Sequence, residues 1–233
     1  MNISVIVCTK GDRKKELGEC LKSIRLQSHK PFEIIVDKTE GMCHARNHAI
    51  QKAHGDIIVF FDDDVIVFQD YLMQLEVFFE IFKEAAAVTG KVVNEKQALL
   101  YWHEFPVETR LLFGSNMAFR RDMFYEFRFD ENLMKGYYFD DDQISADIGK
   151  KYKIFFNPLL RIYHNHAKGG AGQHDTQKEY MMFYTFSKNC KYLWATGRRG
   201  FFHMMLTISL AWLRLVRRGK FKAARGLARG FFE

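Results

Sequence analysis

Three consecutive aspartates, Asp62, Asp63 and Asp64, directly follow an apolar run at residues 57–61. Carboxylates this close raise one another's pKa unless a cation compensates them, and their hard oxygen atoms suit Mg²⁺ or Mn²⁺. A divalent ion that bridges to a diphosphate would account for the cluster. A solvated acidic turn ahead of the next helix is the competing interpretation.

Further polar residues that could hold a nucleotide lie near the ends of predicted strands. Thr9 and Asp12-Arg13 follow the first apolar run, and Arg46 and Asn47 belong to a helical stretch upstream of the aspartates. Carboxylates accept hydrogen bonds from ribose hydroxyls or base N–H groups, and arginine pairs with phosphate as a planar fork. The chain lacks GxGxxG after its first strand and lacks GxxxxGK[ST], so dinucleotide-binding and P-loop interpretations lose their main support.

The elements that must position these residues are indicated by hydrophobic periodicity. Residues 3–7, 33–36 and 56–61 are strand-like, and helical stretches that include Leu17, Leu21 and Ile24 or cover residues 43–53 separate them. Alternation of this length predicts an α/β fold with a mostly parallel sheet flanked by helices. Ligands of such sheets bind beyond the carboxyl ends of the strands.

The alternation weakens after the third strand. A helix from about Asp70 carries Tyr71, Leu75, Phe78 and Phe82 on one face, and a strand follows at residues 87–93. Residues 101–116 have no clear period. Residues 140–150 are predicted helical, and residues 152–156 are predicted to form a strand that Asn157-Pro158 ends. The glycine-dense segment at 169–172 predicts a loop.

Composition narrows the class of protein. The chain has 233 residues, of which 48% are hydrophobic and 15% aromatic, and this excludes disorder for most of it. The four cysteines form no CxxC pair, so a disulfide framework or a zinc ribbon is not expected. Because no secretory signal is visible, we expect a protein of the reducing cytoplasm.

The C-terminal tail differs from the rest of the chain in charge. Residues 187–233 hold eleven Lys and Arg against one acid, a net charge of +10, whereas the whole chain carries +7. Residues 200–213 lack Lys, Arg, Asp and Glu but are shorter than the roughly 20 residues that cross a bilayer. The last stretch has an amphipathic helical pattern. Its apolar side holds Phe221, Ala224, Ala228 and Phe231, and its basic side holds Lys222, Arg225 and Arg229.

This pattern predicts C-terminal amphipathic helices that lie on an anionic membrane surface. Two other interpretations stay open. The apolar side could pack on the preceding part of the chain or form an oligomer, whose state the sequence leaves unknown. Nucleic acid is not an expected partner, because the tail has no recognisable nucleic-acid module.

Several motifs occur in a fixed order along residues 3–166. They are VIVCT at 5–9, EIIVD at 33–37, ARNHAI at 45–50, AHGDIIVFFDDD at 53–64, GSNMAFRR at 114–121 and DDDQI at 140–144. This order resembles that of the family 2 glycosyltransferases, which have the GT-A fold. The resemblance implies an inverting hexosyltransferase-like enzyme that uses Mn²⁺ or Mg²⁺. Such an enzyme moves a sugar from a nucleoside-diphosphate-sugar to a hydroxyl acceptor, here a glycan or a lipid-linked glycan at the membrane face.

The same resemblance implies roles for the donor-binding residues. Asp37 would contact the base, and Thr9 and Arg46 the nucleotide. Asp62 would contact the ribose or the sugar, together with Asp63. Asn116 belongs to the segment that resembles the family's lining of the donor and acceptor site.

The metal ligands and the catalytic base are implied in the same way. Asp64 would bind the metal ion, His164 would be a second ligand, and Asp141 would act as general base. The acidic pair begins with Asp140 where the family usually has Glu, so a shift of one residue would make Asp142 the base. His166 could replace His164 as ligand, and both could instead be solvent-facing loop residues.

The predicted organisation is a GT-A catalytic domain at residues 1–180 and a basic amphipathic helical tail at 181–233. Residues 1–95 form its nucleotide-sugar-binding half and residues 96–180 its acceptor half. The enzyme is expected to be peripheral on the cytoplasmic face of the membrane. A sugar-phosphate nucleotidyltransferase is one alternative, and a catalytically silent membrane-bound assembly partner is another.

Overall fold

The computed structural model describes residues 1–93, 103–133, 139–165, 176–197 and 200–232. The chain forms two compact units. The first comprises Met1–Phe129 and Ile144–Ala167, and the second comprises Asp130–Gln143 and Lys168–Glu233. The glycine-dense segment at 169–172 and His166 lie outside the described residues.

The first unit is built on an eight-stranded mixed sheet. Seven of its strands follow the order β2-β1-β3-β7-β5-β8-β4, and β6 pairs with β8. Strand β1 is parallel to β2 and β3, and β5 is parallel to β8, whereas β7, β4 and β6 run antiparallel to their neighbours. The strands are β1 (Ile3–Cys8), β2 (Glu33–Asp37), β3 (Ile57–Asp62), β4 (Val65–Val67), β5 (Ala85–Val92), β6 (Val107–Thr109), β7 (Asn116–Arg120) and β8 (Lys153–His164).

Helices cover this sheet through apolar faces that the sequence pattern predicts. The helices outside the C-terminal tail are α1 (Lys14–Arg25), α2 (Met42–Lys52), α3 (Tyr71–Ile81), α4 (Met123–Glu126) and α5 (Asp140–Ile148). Tyr71, Leu75 and Phe78 of α3 are buried as predicted. They pack in one core with strand residues such as Val5 and Val59. Burial of this continuous apolar surface is the main stabilising contribution to the unit.

Strand β8 corrects the prediction that a strand ends at Asn157-Pro158. It continues to His164, and the residue paired with Gly90 of β5 is Asn157 while the next pair is Lys91 with Arg161. The three residues between them therefore bulge out of the ladder. Pro158 is tolerated because a bulged residue donates no ladder hydrogen bond.

Gly90 is required by this bulge. A Cβ atom built on Gly90 would lie 1.9 Å from the backbone oxygen of Leu160, closer than any real Cβ contact. We therefore expect Gly90→Ala to destabilise the fold by about 3 kcal/mol or more, since a backbone atom must move. In the exposed part of α1, Gly18→Ala meets nothing within 4 Å and should stabilise by roughly 0.5 kcal/mol. Urea unfolding of both variants measures the two effects.

The helices α6 (Thr176–Ala195), α7 (Phe201–Arg217) and α8 (Phe221–Phe232) lie in the second unit. Helix α8 packs closely on α6 through two glycines. Added Cβ atoms at Gly226 and Gly230 would lie 2.4 and 2.3 Å from the carbonyl oxygens of Tyr180 and Tyr184. Small residues thus let the two backbones approach.

The buried face of α8 differs from the predicted apolar side. Of the four residues assigned to that side, only Ala224 is buried, and Phe221 is 67% exposed. The glycine-rich face was overlooked because a glycine carries no hydrophobic side chain. The buried residues of α8 are Ala223, Ala224, Gly226, Leu227 and Gly230. Among the described residues, no helix has both the length and the apolar character needed to cross a membrane.

Candidate metal and nucleotide site

Asp62, Asp64 and His164 come together at the carboxyl ends of strands β3 and β8. One ligand atom from each, two carboxylate oxygens and an imidazole nitrogen, lie within 4.8 Å of one another. Asp62 ends β3, Asp64 lies in the turn before β4, and His164 ends β8 opposite Val65 of β4. This set fits Mn²⁺ or Mg²⁺. Both ions prefer oxygen ligands, and Mn²⁺ also tolerates an imidazole nitrogen.

Thr9 and Arg13, which follow β1, contact the carboxylates of Asp63 and Asp64. Thr9 donates its hydroxyl hydrogen bond to Asp63 Oδ2. The Arg13 guanidinium donates to Asp63 Oδ1 at 3.2 Å and to Asp64 Oδ2 at 2.9 Å. The other oxygen of Asp64, Oδ1, lies 3.0 Å from His164 Nε2. Each oxygen of Asp64 therefore faces a different partner.

The electrostatics of the cluster favour a bound cation. Desolvation raises the pKa of Asp62, and the Arg46 guanidinium opposes this rise. Desolvation likewise raises the pKa of Asp63, and Thr9 and Arg13 oppose it. A divalent ion would lower these raised pKa values, because it stabilises the ionised carboxylates.

Asp37 ends β2 beside Cys8 of β1, which places it next to Thr9 in the sheet. Its carboxylate accepts a hydrogen bond from the Thr39 amide at 2.8 Å, and its other oxygen lies 2.7 Å from His48 Nδ1 and 3.3 Å from Lys52 Nζ. Only 2% of the Asp37 side chain is exposed, against 48% of His48. His48 and Lys52, four residues apart on α2, were not assigned roles from the sequence, although this spacing puts them on one helix face.

The paired state of Asp37 has a consequence for acid stability. Burial works to raise its pKa, but hydrogen bonds from Thr39, Lys52 and His48 lower it from 3.8 to about 2. A depressed pKa contributes stability that is present above about pH 4 and is lost as the pH falls toward 2. We therefore expect the unfolding free energies of wild type and Asp37→Asn to differ most at neutral pH and to converge below pH 4. Urea titrations at a series of pH values measure this convergence.

Arg46 is buried on α2 and faces the metal-ligand cluster. Its guanidinium donates to the Gly114 carbonyl at 3.1 Å and lies 4.0 Å from Asp62 Oδ1. It also stacks over the Phe129 ring, 5.2 Å from the centroid. These three contacts fix the position of the Arg46 guanidinium, the group that is predicted to contact the nucleotide.

Asn116 begins β7 and pairs with Phe61 of β3, the residue before Asp62. It is completely buried in β7, and its amide nitrogen donates to the Leu160 carbonyl at 3.0 Å. Its amide oxygen accepts a hydrogen bond from the Tyr71 hydroxyl. We assign Asn116 a structural role, in which it holds the bulged part of β8 that leads to His164.

Asp141 lies in the first turn of α5, where the helix dipole favours acidic residues. The Asp142 amide donates to Asp141 Oδ1 at 2.9 Å. Both side chains are partly exposed. The choice of Asp141 over Asp142 as general base stays a prediction.

The family described as "Glycosyl transferase family 2" matches residues 37–142. A glucosyl-dolichyl phosphate glucuronosyltransferase of Haloferax volcanii is 25% identical in an alignment that covers 54% of this chain and 55% of that protein. The chain thus spans about half the length of this curated relative.

Solved structures share the same fold. The mannosyltransferase PcManGT from Pyrobaculum calidifontis, in complex with GDP-Man and Mn²⁺, superposes with a TM-score of 0.63 at 17% identity, covering 98% of this chain and 74% of that one. S. aureus TarS 1–349 in complex with UDP-GlcNAc gives 0.58 at 17% identity and covers 82% and 66%. These similarities establish a GT-A fold. The family match over residues 37–142 and the similarity of fold both point to glycosyltransferases, which confirms the resemblance to family 2 read from the sequence.

Proposed function

We propose that this protein is an inverting, metal-dependent glycosyltransferase that moves a sugar from a nucleoside-diphosphate-sugar to a hydroxyl acceptor. The observation that carries the proposal is the convergence of Asp62, Asp64 and His164 at the carboxyl ends of strands, beside Thr9 and Arg13. This is where open α/β sheets bind ligands. Two solved structures of the same fold are complexes with a nucleotide sugar, TarS 1–349 with UDP-GlcNAc and PcManGT with GDP-Man and Mn²⁺, and they support the same donor class.

Different residues of this site would contact different parts of the donor. Asp64 and His164 would hold the metal ion, and Asp62 would add a third ligand or accept from a ribose or sugar hydroxyl. The buried cation of Arg46 would face the nucleotide. When bound there, the ion would neutralise the charge that develops on the departing diphosphate.

Asp141 would remove the proton of the acceptor hydroxyl. A carboxylate positioned as general base contributes typically about 10²- to 10⁴-fold to a rate. Because a single displacement places the attacking oxygen opposite the leaving group, the anomeric centre would be inverted. No covalent sugar-enzyme intermediate is required.

A lipid-linked acceptor at an anionic membrane surface is the second part of the proposal. The Haloferax volcanii relative is named for glucosyl-dolichyl phosphate, a lipid-linked sugar. Helix α7 exposes an apolar stripe made by Phe202, Leu206, Leu210 and Leu213, with side chains 44 to 86% exposed. Exposed Arg217 continues this stripe, a combination that suits an anionic bilayer interface.

The donor is tested by a thermal-shift screen of UDP, GDP, dTDP and CMP, each with and without Mn²⁺. A ligand that binds only the folded state raises the apparent melting temperature, so one nucleotide should do so in the presence of Mn²⁺. The matching nucleotide sugar should then be consumed slowly with release of the nucleoside diphosphate. Pyrophosphate release from a sugar 1-phosphate and a nucleoside triphosphate would instead favour the nucleotidyltransferase.

Membrane binding is tested by co-sedimentation with vesicles that contain phosphatidylglycerol, compared with pure phosphatidylcholine. Replacing Phe202, Leu206 and Leu210 with Ser should reduce binding to the anionic vesicles by about tenfold or more. A matched control replaces three exposed apolar residues of α3, Met73, Val77 and Ile81, with Ser. Equal binding of wild type and the α7 variant would contradict membrane contact through α7.

A further inference from the structure

We propose that Arg13 is a built-in counter-cation that weakens the site for free divalent metal, so that the ion binds productively together with the donor diphosphate. This inference rests on the proposed function. It concerns a residue that the sequence indicates as a possible nucleotide contact but not as a partner of the carboxylates. Arg13 acts through the carboxylates that it contacts and is a positioning residue.

The geometry of Arg13 supports this role. Its side chain is 23% exposed, whereas the Asp63 and Asp64 side chains are 8% and 6% exposed. One guanidinium nitrogen of Arg13, Nη1, lies 3.2 Å from Asp63 Oδ1 and 2.9 Å from Asp64 Oδ2. Arg13 is the residue before α1 and follows Gly11, whose φ of 80° makes the turn that brings the chain back to the cluster.

Arg13 divides the functions of the two Asp64 oxygens. Oδ2 accepts from Arg13, and Oδ1 faces His164 Nε2 within the metal-ligand cluster. A carboxylate held at one oxygen presents the other in a single orientation. Asp64 is therefore arranged to bind a metal ion through one oxygen only.

The same contact opposes the binding of a bare cation. A unit positive charge a few ångströms from a divalent ion repels it by an amount worth roughly tenfold or more in affinity, even when partial solvent exposure and salt weaken it. A diphosphate offsets this repulsion, because its charge is negative and its oxygens complete the coordination of the ion. Metal and nucleotide should consequently bind with positive coupling, and the coupling must be reciprocal.

The experiment measures Mn²⁺ affinity by titration calorimetry and by the electron paramagnetic resonance signal of free Mn²⁺, with and without saturating UDP or GDP. Wild type should bind Mn²⁺ at least about tenfold more tightly when its nucleotide is present. In Arg13→Gln, free Mn²⁺ should bind roughly tenfold more tightly than in wild type, and the coupling should weaken by a similar factor. Arg13→Lys, which keeps the charge, should stay close to wild type.

A matched control is Arg25→Gln, which removes one positive charge from the exposed end of the same helix and should leave Mn²⁺ affinity unchanged. Free Mn²⁺ that binds Arg13→Gln no more tightly than wild type would overturn the proposal. If that variant does not fold, equal Mn²⁺ affinity of wild type with and without nucleotide would overturn it as well. A failure of wild type to bind any nucleotide would count against the proposed function, while the free-metal comparison would still decide the role of Arg13.

Discussion

Sugar transfer by Asp141→Asn should be slower than that of wild type by about 10²- to 10⁴-fold, while binding of the donor is largely kept. An amide cannot take up the proton of the acceptor hydroxyl at neutral pH, so the nucleophile would remain unactivated. The fold should tolerate the change, because the amide oxygen can still accept from the Asp142 amide, as Asp141 Oδ1 does now. Loss of one negative charge in the first turn of α5 costs typically below about 1 kcal/mol.

Donor turnover is the measurement, with the thermal shift produced by Mn²⁺ and nucleotide as the readout of binding. Asp142→Asn is the matched control, since Asp142 is the next residue of the same helical turn and is also partly exposed. A large loss in Asp142→Asn with activity retained in Asp141→Asn would move the base by one residue. Activity retained in both variants would remove the acidic segment from the mechanism.

The elements that position the candidate site could be predicted because local and tertiary preferences agree there. Strands β1 and β3 are apolar runs buried in the sheet, and β2 is a partly buried edge strand. Helices α1 and α3 bury the faces that their periodicity indicates. The position of the aspartates after β3 follows from this alternation. Their meeting at a strand end needed no information beyond the order of elements.

The parts that could not be predicted depend on pairing between distant residues. Strand β4 has three residues, Val65–Val67, and forms only because β8 lies beside it. Strand β8 passes through Asn157-Pro158 because a bulge opposite Gly90 absorbs the proline. Local sequence signals a stop at that dipeptide, and only the tertiary pairing overrides it.

The candidate site shows the same division. The sequence order indicates Asp62, Asp64 and His164, and the structure brings their ligand atoms together. Asn116 is buried and donates to the Leu160 carbonyl, a contact that the sequence does not indicate, and its role in ligand binding stays a prediction. The ion pair of Arg13 with Asp64 joins residues 51 positions apart, and no spacing rule in the sequence announces it.

Asp64→Asn should weaken Mn²⁺ binding by at least about a hundredfold, more than the 10- to 100-fold typical of residues that only orient a ligand. The substitution removes a negative charge and places an amide NH₂ group against either Arg13 or His164, whose facing atoms approach the present carboxylate at 2.9 and 3.0 Å. Donor affinity should fall with it, because ligands that bind with positive coupling lose affinity together. Calorimetric titration with Mn²⁺, alone and with the preferred nucleotide, measures both losses.

His164→Ala should reduce Mn²⁺ affinity less, by about tenfold or more, since the two carboxylates remain. His54→Ala is its control: this histidine is 74% exposed and pairs with Glu33, which begins β2 at the opposite edge of the sheet. Unchanged Mn²⁺ affinity in His164→Ala would leave the two aspartates as the protein ligands. Unchanged Mn²⁺ affinity in Asp64→Asn would mean that the metal ion binds elsewhere. The proposed neutralisation of the leaving diphosphate by an ion held at Asp64 would then fail.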